Sequence, residues 1–312
     1  MRKLLISMLF IQGYLMSAPF SFQFPDAVNS FVSKSPLYIK ATDKTDLAYY
    51  SFVPENPTAI LLFYHGFGIW SNKLYQYMAQ QLSEKHNIGV YLFDIRGHGN
   101  SEGPRGDAPS KNQVWQDMST AIDFVSQNHK KVPLFLGGHS SGAGLALNYS
   151  EWTKHKNIKG YVLLAPFLGH QSKTVYEHED IDKRFIRKIR LFPLIVSAIS
   201  NGMFFKHTPV IFLNYPDSER KEDPYLLDYN TNTILQATSP MEPQKLFTQL
   251  GVPCCVFIGE NDEQFMPKAV VSFGTFVSQK DSVFKVMQGT AHLSILIDAI
   301  DNVAQWIKSI NR

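Results

Sequence analysis

The pentapeptide Gly138-His139-Ser140-Ser141-Gly142 decides how the rest of this chain is interpreted. It follows an apolar run, residues 132–137, and precedes a small-residue stretch, 143–149, that is typical of a helix. A Gly-x-Ser-x-Gly sequence between a strand and a helix makes a sharp turn that presents the serine hydroxyl, and the glycines leave room for that turn. The pattern predicts a nucleophilic Ser140 at the tip of a strand–turn–helix.

Apolar runs and helix-like stretches alternate along the chain on both sides of this pentapeptide. The apolar runs are residues 59–64, 88–93, 132–137, 158–165, 252–258 and 283–287. The helix-like stretches are residues 73–85, 111–128, 142–154, 266–277 and 292–310. This alternation predicts an α/β fold with a mostly parallel central sheet and helices on both faces. Residues 36–40 and 46–53 are expected to form an antiparallel hairpin at the edge of that sheet.

One interval, residues 169–239, breaks the alternation because it has no strand of the same kind. It is too long for a plain loop, so we expect a cap subdomain inserted into an α/β domain that spans residues 30–312. Residues 183–192 mix basic and apolar side chains, with Phe185, Ile189 and Phe192 on one face at helical spacing. The expected helix either packs on the sheet domain or touches lipid as a peripheral membrane contact.

The N-terminus and the composition limit the class of protein. Residues 1–18 have a basic start, a short apolar core and small residues at the end, which is typical of a signal peptide. An uncleaved membrane-surface anchor and an ordinary N-terminal helix are the alternatives. We therefore expect export, to a secreted or periplasmic location or to a membrane periphery, with a cytoplasmic location as the alternative. The net charge of +3 gives no reason to expect a nucleic-acid partner. The two cysteines, Cys254 and Cys255, are adjacent and are expected to be buried and unpaired.

Two further residues complete a catalytic set with Ser140. Asp262 follows the apolar run 252–258, and His292 follows the run 283–287 and precedes the last helix. A serine nucleophile needs a histidine base and a carboxylate that orients it, and the order Ser, Asp, His is that of α/β-hydrolases. Glu260 and Glu263 remain alternatives to Asp262.

A glycine-containing loop follows the apolar run 59–64 and supplies the remaining part of the site. It reads His65-Gly66-Phe67-Gly68, and its glycines let the backbone approach a substrate closely. We assign the oxyanion hole to the backbone N–H groups of Phe67 and Ser141. His65 is expected to orient this loop and not to act as the base.

Together these motifs resemble the monoacylglycerol lipase and lysophospholipase branch of the serine α/β-hydrolases (serine aminopeptidase S33-like). The most specific likeness is Phe93-Asp94-Ile95-Arg96-Gly97-His98-Gly99-Asn100-Ser101-Glu102-Gly103-Pro104-Arg105-Gly106. The likeness covers about residues 37–310. It implies the triad Ser140, Asp262 and His292 and a structural role for Arg96 and His98. Where many family members have Met after the nucleophile, this chain has Ser141.

The resemblance implies hydrolysis of a carboxylic ester of a single-chain lipid through an acyl-enzyme, with no metal and no organic cofactor. Two alternatives stay open. The same triad serves peptidases and transacylases, and a catalytically silent protein could use the cap to bind lipid or membrane. The cap sequence contains no motif that identifies the acyl chain or the headgroup.

Overall fold

The computed structural model describes residues 24–152, 157–176, 185–200 and 202–311. The predicted signal peptide or anchor, residues 1–18, lies outside these residues. Within the described part of the chain, each helix is too short or too polar to span a lipid bilayer.

The described strands and helices follow the predicted alternation along most of the chain. The strands are β1 (Leu37–Lys40), β2 (Asp46–Phe52), β3 (Ala59–Tyr64), β4 (Ile88–Phe93), β5 (Leu134–His139), β6 (Ile158–Leu164), β7 (Ile186–Ile189), β8 (Pro209–Leu213), β9 (Tyr229–Thr231), β10 (Cys254–Gly259) and β11 (Val283–Met287). The helices are α1 (Asp26–Asn29), α2 (Lys73–His86), α3 (Lys111–Asn128), α4 (Ser141–Trp152), α5 (Leu191–Ile199), α6 (Asp217–Glu222), α7 (Asn232–Thr238), α8 (Pro243–Gln249), α9 (Pro267–Val271), α10 (Ile295–Asp298) and α11 (Ile300–Ile310).

The central sheet has eight strands in the order β1-β2-β4-β3-β5-β6-β10-β11. Strands β1 and β2 form an antiparallel hairpin at one edge, and β2 is antiparallel to β4. The neighbours from β4 to β11 pair in parallel. The predicted fold class and the predicted edge hairpin are therefore confirmed.

Burial explains why the apolar runs could be recognised as strands. Every residue of β3, β4, β5 and β10 is buried, so these strands are covered on both faces and need no polar alternation. Cys254 and Cys255 lie in β10, buried and unpaired as predicted. The carboxyl ends of the parallel strands meet at one edge of the sheet, where sites form in open α/β sheets.

Two predicted helices are divided in the structure. The stretch expected at 266–277 begins as α9 and continues as a tighter 3₁₀ helix, Ser272–Phe276. The stretch expected at 292–310 is split into α10 and α11 at Ala299. His292 therefore lies in the turn before α10 and not within a long helix.

The described residues between β6 and α8 include a second, smaller sheet, and here the sequence prediction needs correction. Strands β7, β8 and β9 form an antiparallel sheet, and the helix expected over residues 183–192 is wrong. Residues 186–189 are a strand, and α5 begins only at Leu191. The register of β7 against β8 shifts between Ile186 and Lys188, and as a result Ile186 and Ile189 are both half-buried. These two residues are three positions apart, which is also the spacing of residues on one face of a helix. We call the described residues within 169–239 the cap.

The segment after β4 joins the sheet to the cap. The Nε2 atom of His98 lies 3.0 Å from Oδ1 of Asn230 in β9, and Thr231 N–H donates to the Gly106 carbonyl. The buried Arg96 guanidinium binds both carboxylate oxygens of Asp117 at 2.7 Å. Arg96 and His98 thus brace loops, as the resemblance implied, and His98 also joins the segment after β4 to the cap.

Candidate active site

Ser140 lies at a sharp turn between β5 and α4 and has the left-handed backbone conformation, with φ of 54°. The turn is tight because a side-chain carbon at Gly138 would overlap the Gly142 backbone, and one at Gly142 would overlap the carbonyl oxygens of Tyr64 and His65. The strain at a non-glycine residue is offset by neighbouring hydrogen bonds, including Ser140 N–H to the Leu164 carbonyl at 2.9 Å. This geometry presents the Ser140 side chain at the ends of the parallel strands.

The structure pairs His292 with Asp262 and not with either neighbouring glutamate. Nδ1 of His292 lies 2.8 Å from Oδ2 of Asp262, and both side chains are buried. The other oxygen of Asp262 accepts hydrogen bonds from the backbone N–H groups of Gln264 and Phe265. With Nδ1 engaged in this way, Nε2 of His292 remains as the proton acceptor that a serine nucleophile needs.

The two glutamates that competed with Asp262 on sequence have other partners. Glu263 Oε2 accepts a hydrogen bond from the His292 backbone N–H, and Glu260 Oε2 accepts one from Gly289 N–H. Both carboxylates therefore hold the loop that carries His292. Neither takes the place of Asp262 at Nδ1.

Opposing influences act on the pKa of His292. Burial lowers it, but the charge and hydrogen bond of Asp262, assisted by the charge of Glu263, outweigh burial and raise the pKa above the ordinary 6.5. A raised pKa strengthens the imidazole as a proton acceptor near neutral pH.

The loop after β3 packs directly against Ser140. A side-chain carbon built on Gly66 would lie 3.3 Å from Cβ of Ser140, and the Tyr215 hydroxyl donates to the Phe67 carbonyl at 2.9 Å. Ser141 is the first residue of α4, a 12-residue helix whose N-terminus favours negative charge. The N–H groups assigned to the oxyanion hole, those of Phe67 and Ser141, thus belong to the two segments that meet at Ser140.

Buried histidines hold these segments in place. His65 accepts a hydrogen bond from Ile95 N–H at Nε2, and its Nδ1 lies 2.9 Å from the Gly66 carbonyl. Burial lowers the pKa of His65 to about 3, so the ring is neutral. His65 therefore has the structural position expected of it, between the glycine-containing loop and the segment after β4.

Tyr75 completes a chain of hydrogen bonds that the sequence did not reveal. Gly66 N–H donates to the Tyr75 hydroxyl, which lies 2.8 Å from Nδ1 of His139. Nε2 of His139 in turn lies 3.0 Å from the His292 carbonyl. The chain links the loop after β3 to the backbone of the proposed base. In the sequence, His139, the second residue of the pentapeptide, is the one member of this hydrogen-bonded chain that a motif marks. Tyr75 comes from α2 and belongs to no motif.

Ser140 opens into a cavity of about 550 Å³ between the sheet domain and the cap. Its apolar lining is Phe67, Phe167, Val175, Phe185, Ile186, Ile189, Leu191 and Phe265. Its polar lining, apart from Ser140, is His170, Tyr176, Arg187, Lys188 and Gln264. A volume of this size with mainly apolar walls and a few polar groups is typical of a site for a small organic molecule.

A smaller cavity shows how close the candidate residues lie. Ser140, His292 and Phe67 line it together, beside Gly66 and His139. The sequence-predicted residues are thus brought together around one point, although they come from four loops far apart in the chain.

Sequence comparison relates the chain to a family of serine hydrolases. The family model described as serine aminopeptidase, S33 matches residues 55–298. A protein of Schizosaccharomyces pombe described as a putative monoglyceride lipase is 27% identical over 274 residues, which cover 82% of this chain and 68% of that protein.

Solved structures show the same fold at lower sequence identity. A soluble variant of monoglyceride lipase from Saccharomyces cerevisiae, crystallised with a substrate analogue, superposes with a TM-score of 0.68 at 20% identity, covering 90% of this chain and 97% of that one. A thermostable carboxyl esterase from Bacillus coagulans superposes with a TM-score of 0.67 at 16% identity, covering 90% and 100%. Since the family model spans most of the chain, including the serine turn and the Asp262 loop, this protein belongs to the serine aminopeptidase S33 family of α/β-hydrolases.

Proposed function

We propose that this protein hydrolyses carboxylic esters of single-chain lipids, monoacylglycerols first, with Ser140 as the nucleophile. The observation that carries the proposal is the buried Asp262–His292 pair beside a serine held in a strained turn, at the wall of a mainly apolar cavity. A binding protein has no need of this arrangement. The monoglyceride lipases among the relatives support the ester class.

The reaction follows from the positions of these groups. His292 Nε2 takes the proton of Ser140 as the serine oxygen bonds to the ester carbonyl carbon, and the carbonyl oxygen becomes an oxyanion held by the N–H groups of Phe67 and Ser141. The C–O bond to the alcohol then breaks, and His292 returns the proton to the leaving alcohol. Water, deprotonated by His292, attacks the acyl-enzyme and releases the fatty acid and Ser140.

The walls of the cavity favour an ester over an aminopeptide. Among the described residues that line it, there is no Asp or Glu, while Arg187 and Lys188 are present. The free ammonium of an aminopeptide substrate would need a carboxylate partner, because a charge taken from water must be paired. An alkyl chain needs only apolar contacts.

The test compares wild type and Ser140→Ala on monoacylglycerols and lysophosphatidylcholines of graded acyl length, with aminoacyl arylamides alongside. Wild type should release fatty acid, and Ser140→Ala should lose activity by about 10⁴-fold or more while its unfolding curve is unchanged. Cleavage of the arylamides alone would replace the ester proposal with a peptidase. Activity that survives in Ser140→Ala would remove Ser140 from the mechanism.

We further propose that the cap touches a lipid surface. Helix α5 and the turn after it have large apolar side chains that are exposed to solvent: Leu191, Phe192, Ile195, Ile199, Met203, Phe204 and Phe205. Phe192 is 70% exposed and Ile199 is 82% exposed. Arg187, Lys188 and Arg190 are exposed next to them. Apolar side chains beside cations suit an anionic bilayer, and Leu191 also lines the Ser140 cavity.

Vesicle flotation tests the cap surface. Replacing Phe192, Ile195 and Ile199 by Ser should reduce binding to phosphatidylglycerol vesicles while hydrolysis of a water-soluble short-chain ester continues. The matched control replaces Val32 and Met241, two exposed apolar residues outside the patch, by Ser and should bind as wild type does. Equal binding by all three proteins would contradict a lipid contact through α5.

Export is a separate proposal that rests on the pattern of residues 1–18. N-terminal sequencing of secreted or periplasmic protein should begin near Ala18. An intact Met1 on protein recovered from the cytoplasm would overturn it.

A further inference from the structure

The loop after β3 carries the Phe67 N–H group that is assigned to the oxyanion hole, and other residues hold this loop on both sides of that group. Among the described residues, none accepts a hydrogen bond from Phe67 N–H. The N–H group before it, that of Gly66, donates to the Tyr75 hydroxyl at 3.1 Å. The Phe67 N–H is therefore available to a substrate, and its direction is set by the peptide groups next to it.

On one side, the hydroxyl of Tyr75 holds the Gly66 N–H group from α2. Nε2 of His139 lies 3.0 Å from the His292 carbonyl, which can only accept, so Nε2 carries the hydrogen. Burial keeps the pKa of His139 well below 6.5, so the ring is neutral and its Nδ1 accepts from the Tyr75 hydroxyl at 2.8 Å. The Tyr75 oxygen is then left to accept from Gly66 N–H.

On the other side, the cap holds the carbonyl of Phe67. The hydroxyl of Tyr215, in the segment after β8, donates to this carbonyl at 2.9 Å. The N–H of Leu227, also in the cap, donates to the Gly68 carbonyl at 2.8 Å. Tyr75 and Tyr215 are both buried, so their hydrogen bonds to the loop are shielded from water. The cap therefore binds the loop next to the proposed oxyanion donor.

The two tyrosines lie where they affect the chemical step and not the binding of the acyl chain. The cavity of about 550 Å³ is lined by other residues, whereas both tyrosines line the smaller cavity together with Ser140 and His292. An oxyanion forms only when the serine oxygen bonds to the carbonyl carbon, so a donor directed at it stabilises the transition state more than the bound ester. A hydroxyl that fixes this direction should therefore affect kcat and not KM.

We propose that Tyr75 and Tyr215 are positioning residues of the oxyanion hole, which hold the loop after β3 from opposite sides and direct the Phe67 N–H at the oxyanion. The inference rests on the proposed ester hydrolysis. It gives the cap a part in the chemical step, in addition to its part in lining the substrate cavity.

The test removes each hydroxyl separately, by Tyr75→Phe and by Tyr215→Phe. On monodecanoylglycerol, kcat should fall by roughly tenfold in each variant, because the oxyanion donor is less well directed, and KM should not change. The affinity for octyl trifluoromethyl ketone, whose adduct with Ser140 carries an oxyanion, should fall by the same factor. The affinity for decanol, which has no carbonyl group, should not change.

Tyr91→Phe is the matched control. The hydroxyl of Tyr91 also lies 2.9 Å from a histidine nitrogen, Nε2 of His129, but Tyr91 lines neither of the two cavities at Ser140. Whatever its effect on Tm, this variant should keep the kcat and the ketone affinity of wild type.

Three results would overturn the inference. They are wild-type kcat and ketone affinity in either of the tyrosine variants at the loop, a rise in KM without a fall in kcat, and a fall in kcat that Tyr91→Phe shares. If one of the two loop variants does not fold, the other decides. Wild type that cleaves no ester would remove the proposed function itself, which separates the two failures.

Discussion

At the scale of single residues, the charge of Glu263 influences the pKa of His292, the proposed base. Glu263 binds the backbone N–H of His292, and its charge is one of the causes that raise the imidazole pKa above 6.5. The base must be neutral to take the Ser140 proton, so kcat/KM should fall as pH drops through this pKa. The acid limb of the wild-type profile should therefore lie above pH 6.5.

Glu263→Gln should move that acid limb to lower pH. Glutamine keeps an oxygen that can accept from His292 N–H but removes the charge, so the protonated imidazole loses part of its stabilisation. Profiles of kcat/KM against pH on a soluble ester measure the shift. Glu260→Gln is the matched control because Glu260 binds Gly289 and does not figure among the causes of the raised pKa. A profile that moves equally in both variants would contradict the assignment.

The sequence predicted which of the proposed catalytic residues lie together better than it predicted the residues that position them. Ser140, Asp262 and His292 each follow an apolar run, and parallel strands bring their carboxyl ends to one edge, so order and spacing were sufficient to bring them together. Tyr75 has no such signal. It reaches the site from α2, and its hydrogen bonds with Gly66 and His139 are visible only when its surroundings are known.

At the scale of elements, the turn between β5 and α4 depends on close backbone contact. A side-chain carbon at Gly142 would overlap two backbone oxygens, of Tyr64 and His65, which cannot move without shifting β3. Gly142→Ala should therefore lower the free energy of unfolding by about 2 kcal/mol or more and reduce kcat. Urea unfolding and the ester assay measure both effects.

Gly251→Ala is the control for that change. Gly251 has open space around it, so the added methyl group should change the free energy of unfolding by no more than about 0.5 kcal/mol. Equal stability of the two variants would show that the turn can relax and that its tightness is not what presents Ser140.

Among the strands, prediction from sequence succeeded for β3 and β4 and failed for β7. Strands β3 and β4 are apolar throughout and were predicted at their observed bounds, because burial on both faces leaves no ambiguity. Strand β7 is only half-buried, and its spacing of Ile186 and Ile189 fits a helix as well as a shifted strand. Pairing with β8, whose residues 209–213 are apolar, decides between them, and pairing is a property of the tertiary structure.

At the scale of the whole molecule, the site is surrounded by histidines that the fold keeps neutral. Burial lowers the pKa of His65 to about 3 and that of His98 to about 4, and it holds that of His139 well below 6.5. The unfolded chain binds protons at these residues below pH 6.5, whereas the folded chain does not, so stability falls as pH falls. Asp94 opposes this fall in stability. Burial raises its pKa to about 6, so on acidification the folded chain binds a proton at Asp94 before the unfolded chain does. His292 also opposes the loss of stability, because its raised pKa lets the folded chain bind a proton there more readily than the unfolded chain does. This effect is confined to pH values above about 6.5.

Burial also lowers the pKa of His129 and His170 and raises that of Asp117 and Glu219. Because the histidines outnumber the carboxyls, acidification should lower the free energy of unfolding. Between pH 6.5 and 5, the free energy of unfolding should fall by roughly 2–3 kcal/mol per pH unit, a large part of the total for a typical domain. Urea unfolding at pH 7.5, 6.5 and 5.5 measures the slope, and the uptake of about two protons on unfolding at pH 5.5, followed in a pH-stat, measures the same linkage independently. Stability that is level or rises over this range would mean that at least two of these histidines become protonated without unfolding. The packing that joins the loop after β3, the turn between β5 and α4, and the segment after β4 would then be looser than the structure shows.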